Sequence, residues 1–146
     1  VSAVRDDLRP HIRTELLDVD RVIVVRGGPN TVAKLRDNAR RTYRAFALDG
    51  QPVFGMSVFC ALDTVGDASL NGLLAGRLST FRKVHLPRAC DLVGAGFDLI
   101  PTFRRPHFTL LIDGVFEAQL IHLRSVLGPP RDNPFGPRPI PSSNRR

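Results

Sequence analysis

Residues 100–113, IPTFRRPHFTLLID, decide how the chain is read. On a strand, 107, 109, 111 and 113 share one face while 108, 110 and 112 share the other. Phe108, Leu110 and Ile112 are therefore expected in the core, with His107 and Thr109 turned toward a cleft or solvent. The preceding FDLIPTF (97–103) reads as a second strand, and Arg104-Arg105-Pro106 as a tight connection between the two. A late strand pair of this kind argues against a purely alternating βαβ chain.

Working outward, GVFEAQLIHLRSVL (114–127) reads as a helix stopped by Gly128-Pro129-Pro130. Upstream, RVIVV (21–25) is a β-branched strand that runs into Arg26-Gly27-Gly28. The spacing of Val32, Leu35, Ala39, Tyr43 and Phe46 predicts an amphipathic helix capped by Asn30 or Thr31. QPVFGMSVFCAL (51–62) is a further strand, VGDASLNGLLAGRLSTF (65–81) a helix capped by Asp67, and KVHL a short strand. PRACDLVGAG (87–96) predicts a brief helix closed by glycine. Residues 4–17 show a four-residue apolar spacing interrupted by Pro10, which suggests a helix. These elements define an α+β domain over 1–128: a mixed or antiparallel sheet of about five strands with helices packed on it. Residues 129–146, rich in proline and arginine, form a tail expected to be extended or disordered unless it lies along the body.

The totals narrow the function. The chain has 146 residues, 21 of them basic and 14 acidic, for a net charge of +7. Basic residues cluster in two blocks, 26–48 with Arg40, Arg41 and Arg44, and 77–107 with Arg82, Lys83, Arg104 and Arg105. Two such blocks point to an anionic partner, nucleic acid and most readily RNA. An acidic protein inhibitor or antitoxin that covers the basic cleft would fit the same charge. No apolar run is long enough to span a membrane, and the first ten residues lack the apolar core of a signal peptide, so a cytoplasmic location is expected. Cys60 and Cys90 lie far apart without CxxC spacing and read as small reduced core residues, not zinc ligands. No Asp/Glu pair sits in a motif, which disfavours a two-metal nuclease, and no cofactor is expected.

His107 is then the leading candidate for chemistry, since a metal-free ribonuclease needs a group that titrates near neutrality. Thr109 and Ser57 could orient a phosphate oxygen, and Arg26, Arg104 and Arg105 could stabilise the charged phosphorane. VVRGGPN is no P-loop, yet an arginine at a strand end beside two glycines is a good anion-binding position. Ser57 reads either as a buried serine bonded to backbone or, with Gly55 on the same face, as the floor of a ligand site. His85 is a second acid/base candidate, and Glu117 most simply complements a helix dipole.

Two family patterns touch isolated positions. His107-Phe108-Thr109 resembles one of the two H-x-S/T motifs of 2H phosphoesterases, but the second motif is missing. Arg26, Ser57 and Glu117 stand in the order of the ADP-ribosyltransferase pattern, an arginine ending the first strand, a serine in a later one and a downstream glutamate. GMSVF is not the usual Ser-Thr-Ser, and FEAQ lacks the paired acidic or glutamine-glutamate arrangement. That resemblance implies a toxin-like enzyme using NAD, with Arg26 on the cofactor's phosphate or ribose, Ser57 supporting the pocket and Glu117 as the catalytic carboxylate. The expected function is thus a small toxin-type endoribonuclease, with ADP-ribosyl transfer and a non-enzymatic RNA- or protein-binding module as alternatives. The shortage of tyrosine and tryptophan counts against a platform for stacking single strands.

Overall fold

A computed structural model describes residues 21–137. The expected helix at 4–17 lies outside these residues, as does the end of the tail. The described part is an α+β domain: four helices on an antiparallel sheet of six strands, with a small two-stranded sheet beside it. Strand β1 (Ile23–Gly28) leads into helix α1 (Val32–Ala45). The short strands β2 (Ala47–Leu48) and β3 (Gln51–Pro52) pair across Asp49-Gly50, both at positive φ. Then follow β4 (Phe54–Ala61), α2 (Leu70–Ala75), β5 (Lys83–His85) and α3 (Ala89–Gly94). β6 (Asp98–Pro101) and β7 (His107–Ile112) precede α4 (Glu117–Leu127) and β8 (Arg131–Asp132).

The large sheet runs β6-β7-β4-β1-β5-β8. Its sixth strand comes from the segment after Gly128, where Arg131 and Asp132 pair with Val84 and Lys83. Asn133 fixes this segment to the body. Its buried amide donates to the carbonyls of Leu74, Leu78 and Phe81 at 3.0–3.1 Å, and its Oδ1 accepts from Phe135 N–H. Asn133→Ala would strand these carbonyls in a low-dielectric setting, and is expected to lower stability by about 1–3 kcal/mol, read as a lower urea midpoint.

The β6–β7 pair forms as expected, but Thr109, expected toward a cleft or solvent, is buried, as is Leu111 on the same face. Leu99, Leu110, Phe108 and Ile112 are buried, and they join Val24, Met56, Val58 and Cys60 in one cluster with Leu35, Ala39, Leu92, Leu120 and Leu123 of the helices. α1 starts at Thr31, whose hydroxyl accepts from Lys34 N–H. Differences arise around α2. Ser69, not Asp67, caps it, because Ser69 Oγ accepts from Gly72 N–H. The helix stops at Ala75, yet Leu78 and Phe81 still lie beside Leu73, Leu74, Val25 and Val84 in a second, smaller core on the opposite face. No helix among the described residues is long and apolar enough to cross a membrane.

Candidate functional site

The sheet does not run unbroken. β1 pairs with β4 along one edge only through Ile23, Val24 and Val25, while its other edge pairs with β5 through Arg26, Gly27 and Gly28. Past Val25 the strands β1 and β4 therefore part. A cavity of about 210 Å³ opens there, lined by Val25, Arg26, Gly27, Lys34, Asn38, Ser57, Phe59, Leu78 and Phe81. Its polar groups come from β1, β4 and α1, and its apolar wall comes mainly from the second core. Gly27 is required at this spot, because a Cβ there would collide with the Phe81 ring.

Arg26 is 9% exposed and spans the gap. Its Nε donates to Asn30 Oδ1 at 3.2 Å and its Nη1 to the Ser57 carbonyl at 2.7 Å. Both acceptors are neutral, and among the described residues no carboxylate lines the cavity. Burial pushes the guanidinium pKa down to about 10, so it remains charged at neutral pH. Asn30 is held in turn: its side chain donates to Gly27 C=O, and its backbone N–H donates to His85 Nε2 at 3.1 Å. With Nε2 accepting, the His85 proton sits on Nδ1, which faces the Gly128 carbonyl at 2.9 Å. Both ring nitrogens are thus committed to structure, which removes His85 from the acid/base candidates.

This arrangement is sensitive to acid. Burial holds the His85 pKa below the ordinary histidine value, the Gly128 bond opposes that, and the charges of Arg26, Arg124 and Lys34 add to the lowering. A proton on Nε2 would confront Asn30 N–H with a second donor. Because the folded value is depressed, the unfolded chain takes up the proton first as pH falls through about 6.5, and stability drops below that point. We expect a lower urea midpoint at about pH 5 than at about pH 7.5, with a smaller difference in His85→Gln; an equal difference in the variant would contradict the assignment.

On the neighbouring strand, Ser57 lies opposite Thr109 and Phe59 opposite His107, so the four share one face of the sheet. Ser57 is exposed, contrary to the reading of a buried serine. Thr109, in contrast, is buried and shares a 2.9 Å hydrogen bond with Thr102 Oγ1. Gly55 leaves no open floor, since a Cβ there would meet the Leu110 carbonyl and the Thr109 methyl. His107 is half-buried, with Nδ1 2.9 Å from Thr102 Oγ1 and its ring edge-on to Phe59 at 5.3 Å between centroids. Burial lowers its pKa, a bond to Thr102 raises it, and the charge of Arg77 lowers it further. Phe59 links the two regions: it lines the Arg26 cavity and touches the His107 ring, although His107 is not itself among the residues lining that cavity.

The other candidates separate. Glu117, at the start of α4, is exposed, paired with Arg36 at 3.3 Å, and absent from the cavity lining. Arg105 forms a forked pair with Asp63 at 3.0–3.1 Å, and Lys83 pairs with Asp132 at 2.6 Å. Arg41 donates to Asn38 on the cavity rim, whereas Arg40, Arg44, Arg82 and Arg104 are exposed. Sequence reasoning counted Lys34 and Arg77 only within the basic blocks and passed over Asn38, Phe59 and Phe103. Asn38 stands four residues beyond Lys34 on α1, the one local signal that could have shown them sharing a face. Among the described residues no cluster of three or more His, Cys, Asp or Glu side chains could hold a metal. No protein-family model, curated protein or solved structure matches the chain.

Proposed function

We propose that the protein is a metal-independent endoribonuclease of the toxin type, acting where the Arg26 cavity adjoins Phe59 and His107. The observation that carries this reading is a buried, charged Arg26 in a cavity without a carboxylate, joined by Ser57 and Phe59 to a histidine with a lowered pKa. Such a cation stabilises negative charge that develops on a phosphate. His107 Nε2 takes the proton of a 2′-hydroxyl, and the 2′-oxygen attacks the adjacent phosphorus. The bond to the 5′-oxygen breaks, and that oxygen leaves with a proton from solvent while His107 releases its own. The products are a 2′,3′-cyclic phosphate and a 5′-hydroxyl end.

NAD chemistry is the second reading, because Arg26 and Ser57 line one cavity as the ADP-ribosyltransferase pattern implies. Breaking a glycosidic bond develops positive charge on the ribose, which a carboxylate stabilises. Glu117 is committed to Arg36, and the cavity walls are cationic and apolar, so phosphate chemistry is favoured. A cytoplasmic enzyme of this kind would need restraint, and an acidic antitoxin facing the exposed arginines is the partner that its charge suits.

Purified protein incubated with total RNA in EDTA tests the reading. Cleavage that leaves cyclic phosphate ends supports it. Intact RNA with consumption of labelled NAD would transfer the assignment to the second reading. Salt-dependent binding without turnover would leave a binding module.

A further inference from the structure

The connection between β6 and β7 holds a feature that neither the cavity nor the catalytic reading uses. Phe103 is 82% exposed and adopts a positive φ of 57°, a conformation that bulky side chains seldom take. It is nonetheless anchored, with its ring 5.1 Å from His107 and 5.8 Å from Phe46. His107 then meets Phe59, and the Arg77 guanidinium lies 5.3 Å from the centre of the Phe59 ring. Phe46, Phe103, His107 and Phe59 thus form a row of rings that runs into the Arg26 cavity. Arg77 stands at one end, and exposed Arg104 follows Phe103 in the chain.

We propose that this row is a binding track for unpaired bases, with Phe103 stacking one base directly beside His107, so that the substrate is single-stranded RNA. This rests on the endoribonuclease reading and adds its specificity. An unpaired base has a free π face to lay on Phe103, whereas a base inside a duplex has both faces covered. Arg77 and Arg104 supply the cations that a strand's phosphates require between stacked bases. The row also answers the shortage of tyrosine and tryptophan: few aromatics are present, but the fold collects four rings in one place.

The test uses a fluorescent 2′-O-methyl RNA strand, which lacks the attacking hydroxyl, its duplex with a complementary strand, and the same strand with abasic positions. Anisotropy is expected to show the single strand bound at least about tenfold more tightly than the duplex or the abasic strand. Phe103→Ala should weaken single-strand binding about tenfold and leave duplex binding unchanged, with Phe103→Trp restoring it. Equal affinity for single strand and duplex, or unchanged binding by Phe103→Ala, would overturn the proposal. So would a wild-type dimer that Phe103→Ala converts to monomer, which would assign the row to protein contact. The two readings fail separately. Cleavage in EDTA that ignores strandedness sinks the track alone, and base-dependent binding without cleavage sinks the nuclease alone.

Discussion

His107→Ala is expected to lower RNA cleavage by about 10²–10⁴-fold, the range that a positioned acid or base supplies. The ring is oriented by Thr102, which Thr109 holds from the other side, so Nε2 is the nitrogen left to meet substrate. Burial keeps the ring neutral at neutral pH, as a base requires. The sign of the pH dependence follows: a depressed pKa means the active form is lost only as pH falls through a value below about 6.5. Wild-type kcat/KM should therefore rise from acid pH to a plateau near neutrality. The ring contributes edge contacts with Phe59, so some loss of stability is expected as well, and circular dichroism of the variant separates that from lost catalysis. A folded His107→Ala protein with full activity would return this histidine to packing.

Arg26→Lys should cost about 10²–10³-fold in kcat/KM although the charge is retained. An ammonium cannot reproduce the planar fork that reaches both Asn30 Oδ1 and the Ser57 carbonyl across the parted strands. Either the lysine keeps those acceptors and misses the phosphate, or it takes the phosphate and leaves the buried Asn30 Oδ1 unmatched. Pyrophosphate should inhibit the wild type competitively and the variant much less. Glu117→Gln serves as the contrast: it should leave RNA cleavage within about twofold, since its partner is Arg36 at the surface. Abolished activity in that variant, with Arg26→Lys unaffected, would reverse the assignment in favour of the NAD reading.

Much of the fold was legible because local patterns and tertiary packing agree. Phe108, Leu110 and Ile112 are buried as their alternation predicts, although Thr109 and Leu111 on the other face are covered as well. Val32, Leu35 and Ala39 mark the inner side of α1 in the same way. Where one side chain outweighed the local pattern, the reading failed. Ser69 displaced Asp67 as a cap because its hydroxyl reaches Gly72 N–H. The sixth strand was hidden because Arg131 and Asp132 have no strand propensity and are held by pairing with β5 and the Asn133 clamp.

From its residues alone this chain determined an α+β architecture, the strand that carries His107, the strand-end Arg26 and a positive charge suited to an anion. These depend on side-chain periodicity and composition, which act over a few neighbouring residues. Tertiary structure decided the site. Only the end of the β1–β4 ladder at Val25 opens the cavity, and only the register of β4 with β7 sets Ser57 beside Thr109 and Phe59 beside His107. Pairing between distant strands fixes these neighbours, and no local pattern encodes which backbone will meet which.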